Sequence, residues 1–295
     1  MTRRAIDCVV NRRDQLGETP LWCQRTGLVW WLDIERPRLQ SFDPKTGAYR
    51  VFPFEATYAG SLAFHAGGGF LVALDNALHR FEPETAVLTP FVEIEPPGRG
   101  TRLNDGRCDR RGRLWIGTMD ETFREPLGSV YRVGPDASVV RMFGDIIVTN
   151  SIATSPDDRV LYVSDTRRYV LWAFDLDPDD GVLSNRRVFV DYARERGRPD
   201  GACVDSEGCV WNAAFAGGCV IRYTPSGKVD EVIELPVTNP TCVCLGGDDF
   251  RTLYVTTATK MIEPAVLERE EHAGALLAVR VNVAGLPEPM FAAVK

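Results

Sequence analysis

The feature that most constrains this chain is internal repetition. Six short apolar runs recur along it: GLVWWLDI (27–34), GGFLVALD (68–75), GRLWIGTM (112–119), DRVLYVSD (158–165), GCVWNAAF (208–215) and RTLYVTTA (251–258). Each is rich in Val, Leu, Trp or Tyr and opens on a turn residue, the pattern of a short buried strand. Taking Trp30, Leu71, Trp115, Tyr162, Trp211 and Tyr254 as equivalent gives spacings of 41, 44, 47, 49 and 43 residues. After each run comes a second strand-like segment, several ending in Asp/Glu-Pro or Pro-x-Gly turn signals, and before each lies another short segment. Every repeat therefore reads as three or four short strands. No convincing amphipathic helix competes; the nearest, EPAVLEREEHA (263–273), reads as an excursion within the sixth repeat. Solenoids use shorter repeats or helices, whereas four-stranded units of this length, repeated four to eight times, make β-propellers. The reading is an all-β, six-bladed β-propeller with four-stranded blades around a central channel. It is one domain, 1–295, in which the unrepeated AIDCVV near the N-terminus pairs with the last blade and closes the ring.

In a propeller the first strand of every blade lines the channel, so the starts of these strands converge at its mouth. Stepping back 11 to 13 residues from the aligned positions gives Glu18, Gly60, Asn104, Asn150, Asp200 and Thr241. Each one alone, as Asn-Asp-Gly or Asp-Gly, is an ordinary turn sequence. Two acids and two amides in one shared register are a ring of oxygen donors, which suits a hard divalent cation with positions left over for water or substrate.

The rest of the sequence removes competing chemistries. The three histidines, His65, His79 and His272, are too scattered for a His-Glu-x-x-His zinc site or for His-rich catalysis. None of the eight cysteines forms a Cys-x-x-Cys pair, so they read as reduced core residues. There is no Gly-x-Ser-x-Gly elbow and no Gly-x-Gly-x-x-Gly loop after a strand. The stretch DLDPDDGVLSNR (175–186) starts like a calcium loop, but Asp180 and Arg186 occupy positions where that loop needs Gly and Glu, so a hairpin turn is expected. A net charge of −7 without a basic block argues against nucleic acid. No apolar run has the length of a signal peptide or a membrane span, so the expectation is a cytoplasmic protein, monomeric or weakly dimeric.

At these same residues the sequence resembles the senescence marker protein-30/gluconolactonase/luciferin-regenerating-like (regucalcin-like) family. The likeness spans nearly the whole chain. It rests on LGETPLW around Glu18, RLNDGRCDRRGRLWIGTMD around Asn104, TNSIATSPDDRVLYVSDT around Asn150 and PDGACVDSEGCVW around Asp200. Within the family it is most similar to bacterial sugar lactonases of the xylono- and arabinonolactonase type. The resemblance implies a six-bladed propeller with one axial divalent cation, held here by Glu18, Asn150 and Asp200, with calcium, magnesium, manganese, zinc and ferrous iron all open. It implies substrate contacts from Arg102 and Asn104 and from an acidic residue after Gly-Thr-Met. Glu121 is assigned that role, with Asp120 as the other choice, although strict spacing lands on Thr122. The implied activity is metal-dependent hydrolysis of a sugar aldonolactone, a pentonolactone or gluconolactone, with Asp200 also acting as the base. The alternatives are a calcium-responsive binding propeller and a hydrolase of organophosphates or aryl esters.

Overall fold

A computed structural model describes residues 4–292. They form six four-stranded antiparallel sheets, each with its strands in chain order except the last. The first strands, Gly17–Cys23, Ala59–Phe64, Thr101–Cys108, Thr149–Thr154, Arg198–Val204 and Pro240–Gly246, contact one another in sequence, and the last returns to the first. The sheets are therefore blades of a closed propeller. The sixth blade takes its fourth strand from the start of the chain: Ile6–Asn11 pairs antiparallel with Ala275–Arg280, from Ile6 opposite Val279 to Asn11 opposite Ala275.

Burial falls from the axis outward. Inner strands are buried along nearly their whole length, while fourth strands such as Tyr49–Pro53 and Val87–Glu93 are mostly exposed or half-buried. This explains why the second strands of the repeats read as continuous apolar runs: both of their faces pack against neighbouring blades. Six apolar clusters result, one between each pair of adjacent blades. The tryptophans sit in them, Trp30 against Phe70 at 4.8 Å between ring centroids and Trp22 stacked on Tyr254 at 5.9 Å. Three indoles also donate to a buried Asp: Trp31 to Asp14, ahead of the inner strand, at 2.8 Å, and Trp115 to Asp109 and Trp211 to Asp205, each in the turn just before, both at 2.9 Å. An arginine completes each unit, Arg38, Arg113 and Arg222 respectively.

The excursion expected at 263–273 contains one helical turn, Pro264–Leu267, and 175–186 is the hairpin between Val170–Leu176 and Leu183–Asp191. All eight cysteines are free, six of them buried. No helix among the described residues is long and apolar enough to cross a membrane.

At the channel end where the inner strands finish, the C-terminal segment crosses the ring. Ser206 N–H donates to Ala284 O, Phe291 N–H to Phe64 O and Ala292 N–H to Gly112 O, at 2.7–2.9 Å. Glu288 pairs there with buried Arg107 at 2.9 Å. The site lies at the other end.

Candidate functional site

Every inner strand carries a register irregularity at the same depth. In five blades two consecutive residues oppose one on the neighbouring strand: Thr19–Pro20, Gly60–Ser61, Asn104–Asp105, Ser151–Ile152 and Asp200–Gly201. In the sixth, Thr241 is the extra residue. Such β-bulges bend a strand and re-aim its side chains. In the first and fourth blades the bulge places Thr19 and Ser151 at φ +47° and +58°, a conformation that costs an ordinary residue about 1–2 kcal/mol. The side chain just before each of these strained residues is Glu18 or Asn150.

The six mouth positions divide four to two. Glu18, Asn104, Asn150 and Asp200 line one cavity of about 190 Å³. Gly60 does not, because a Cβ there would lie 2.5 Å from the Leu103 carbonyl of the next blade. Thr241 turns its hydroxyl to Thr256 and to the carbonyl of Gly17. Arg102 also lines the cavity, as does Thr122, on which the strict spacing falls. Asp120 is buried but faces its own turn, accepting from the Thr122 hydroxyl at 2.6 Å and from the Arg124 and Glu125 amides at 2.8 Å. Burial raises its carboxyl, but these donors outweigh that and bring it down to about 2. Glu121 is exposed and lies just outside the wall, which its neighbours Thr122, Phe123 and Arg124 form.

A chain of hydrogen bonds fixes the amides. The Thr166 hydroxyl donates to Pro199 O at 2.7 Å, so it must accept from Asn150 Nδ2 at 2.8 Å. That turns Asn150 Oδ1 the other way, where Asn104 Nδ2 donates to it at 3.0 Å and a second lone pair stays available. Asn104 is held in turn by Arg102, whose Nη1 donates to Asn104 Oδ1 at 2.8 Å and to Leu103 O at 2.9 Å. Arg102 also lies over the Tyr58 ring at 4.8 Å. Its remaining N–H groups have no protein acceptor among the described residues. Asn104 thus links Arg102 to Asn150 and spends both amide hydrogens within the protein.

The carboxylates are less settled. Glu18 accepts from Thr19 N–H at 2.8 Å, and neither Glu18 nor Asp200 has an ion-pair partner among the described residues. Both are 6% exposed. Burial raises both carboxyls well above the usual range; Asp105 raises Glu18 further, and Glu18 and Asp105 do the same to Asp200. Asp105 itself was missed by the repeat register, which read Asn-Asp-Gly as a turn. It is the second bulge residue, buried beneath the site and accepting from Ile152 N–H at 2.7 Å, and burial pushes its carboxyl up to about 6. Its strand, TRLNDGRC, is polar at most positions, so no break in an apolar pattern marks it out. Thr166 and Arg198 fall outside the register as well: Thr166 opens the turn after its strand and Arg198 begins an inner strand after a loop, positions whose lengths vary between blades.

These groups fit a hard divalent cation. Two buried carboxylates without a direct ion-pair partner and one oriented amide oxygen line the same cavity, and all are oxygen donors. Among the described residues no three His, Cys, Asp or Glu side chains come together as a ready-made metal cluster.

Residues 16–259 match the family model described as SMP-30/Gluconolactonase/LRE-like region. The chain belongs to this family. Among its SMP-30/gluconolactonase relatives, a 6-deoxy-6-sulfogluconolactonase from Pseudomonas putida is 37% identical over 97% of this chain and 98% of its own length. Regucalcin from Xenopus laevis is 31% identical over 99% and 100%. A solved structure, a calcium-binding regucalcin from Agrobacterium tumefaciens, superposes with a TM-score of 0.93 at 31% identity, covering 99% of this chain and 98% of that one.

Proposed function

We propose that the protein hydrolyses a sugar lactone, an aldonolactone, to the open aldonic acid, with one divalent cation held by Glu18, Asn150 and Asp200. The observation that carries the reading is the buried, unpaired Glu18–Asp200 couple beside an amide oxygen that Asn104 and Thr166 keep turned towards the cavity. The names of the Pseudomonas putida relative and of the regucalcin structure support the lactone and the cation respectively.

When bound, the cation would polarise the lactone carbonyl and stabilise the oxyanion of the tetrahedral intermediate. Asp200 takes the proton from the attacking water, a role open to a carboxylate on the cavity wall. Glu18 balances charge. Arg102 offers its free N–H groups to the ring oxygen or a hydroxyl, fixing the lactone over the carboxylates, and Asn104 keeps Arg102 and Asn150 in register. The apolar wall of Leu16, Ile34, Met119, Val148 and Phe215 limits water around the reacting carbonyl.

The test is a panel of aldonolactones, aryl esters and phosphotriesters, followed by acid release with calcium, magnesium, manganese, zinc or ferrous iron each supplied alone. Lactones should give the highest kcat/KM. A calcium-responsive binding protein, which the regucalcin structure's description favours, predicts cation binding with turnover of none of them.

A further inference from the structure

The cavity's charges do not match a neutral sugar. Its wall includes Arg102, Arg124, Arg167, Arg198 and Lys260 against only two acids, Glu18 and Asp200, in a chain whose net charge is −7. Lys260 is already paired with Glu35. The two acids lie at the base of the cavity and are the pair that a divalent cation would neutralise. Arg102 is occupied in part by Asn104 and by the Tyr58 ring. Arg124, Arg167 and Arg198 remain. None of the three lies within 4 Å of a carboxylate among the described residues, although the molecule pairs arginines freely elsewhere.

Their positions follow from the blades that carry them. Arg124 follows the second strand of the third blade, Arg167 lies in the turn between the second and third strands of the fourth, and Arg198 opens the inner strand of the fifth. Arg124 and Arg167 are exposed and border the cavity, which places them at its rim. Arg198 is half-buried and already ordered. Its Nε donates to the Tyr169 hydroxyl at 2.8 Å and its guanidinium lies 5.3 Å from the Tyr169 ring centre, leaving both Nη groups without a protein acceptor. It precedes Asp200 by two residues, a step of about 7 Å along a strand. Arg198 and Asp200 therefore reach the cavity from one short stretch of a single inner strand.

Resting on the lactonase reading above, we infer that the substrate is a lactone carrying an anionic group at the end remote from its carbonyl, held by Arg198 with Arg167 and Arg124 at the rim. Sulfonate, phosphate and carboxylate share this chemistry: oxygens that accept charge-assisted hydrogen bonds from guanidinium forks. Three unpaired cations around an apolar-walled opening also raise the local concentration of an anionic ligand, an effect that weakens as salt increases.

The experiment compares gluconolactone with the same lactone bearing a 6-sulfonate or a 6-phosphate, and with a lactone of glucaric acid, at low and high ionic strength. The enzyme is loaded with the cation that best supports turnover. At low salt kcat/KM for at least one anionic lactone should exceed that for gluconolactone by about tenfold or more, and the advantage should shrink as salt rises. In Arg198→Gln and Arg167→Gln the ratio of anionic to neutral kcat/KM should fall by roughly tenfold each, the scale of one charged hydrogen bond. Which anion leads identifies the group. Equal turnover of neutral and anionic lactones, or an advantage that neither salt nor these substitutions alters, overturns the inference and leaves the lactonase reading intact. Turnover of no lactone with any cation overturns both.

Discussion

Thr166→Val removes one oxygen atom from the site and nothing from its outline. Thr166 is 8% exposed and its hydroxyl makes two bonds, accepting from Asn150 Nδ2 at 2.8 Å and donating to Pro199 O at 2.7 Å. Valine has the same shape and neither capability. Asn150 cannot recover by flipping, because its Nδ2 would then face Asn104 Nδ2, and Asn104 is fixed by Arg102. Each buried polar group left without a partner costs about 1–3 kcal/mol. Thr166 borders the cavity, so water can serve one of the two, and the expected loss of stability is about 1–3 kcal/mol in all. The larger effect falls on the cation, since loss of a hydrogen bond that orients a metal ligand typically lowers affinity about 10- to 100-fold. Urea unfolding in the presence of a chelator reads the first quantity, and calorimetric titration of the cation reads the second. Reduced stability with cation affinity within about twofold of wild type would refute the argument, since it would make Thr166 a packing residue alone.

Asp205→Ala should destabilise by about 3–5 kcal/mol, because Trp211 Nε1 and the Glu207 and Cys209 amides lose their acceptor and Arg222 loses its buried partner; the urea midpoint should fall with an unchanged slope. Gly60→Ala should cost about 1–3 kcal/mol, since the new methyl meets the Leu103 carbonyl at 2.5 Å, and thermal unfolding should show it without loss of the β-rich circular dichroism spectrum. Asp120 has a carboxyl held down to about 2, so its charged form favours the folded state. Its contribution is full above about pH 4, the unfolded carboxylate value, and is lost as pH falls through about 2; the stability gap between wild type and Asp120→Asn should close over that window.

The architecture was readable because a propeller repeats its pattern. Trp30, Leu71, Trp115, Tyr162, Trp211 and Tyr254 are all buried on the second strands, where both faces pack against other blades and polar substitutions are costly. The same register reached Glu18, Asn104, Asn150 and Asp200, since the axis forces equivalent positions together. It failed where backbone detail or a neighbour decides. Gly60 and Thr241 share the register yet stay out of the cavity, one because the next blade presses on it and the other because its hydroxyl serves that blade. Asp105 was hidden because a bulge, unlike an alternating strand, sends two consecutive side chains to useful places. Thr166, Arg167 and Arg198 come from turns and strand ends, whose placement depends on loop lengths that differ between blades.

Lactone hydrolysis is proposed to depend on one divalent cation bound by Glu18, Asn150 and Asp200. Turnover measured against the equivalents of cation restored to chelated protein tests it most directly, with Asp200→Asn alongside. Activity should be lost on chelation, rise linearly to one equivalent in the wild type, and stay absent from Asp200→Asn at any cation concentration. Full activity in protein shown by elemental analysis to be free of divalent metal would contradict it.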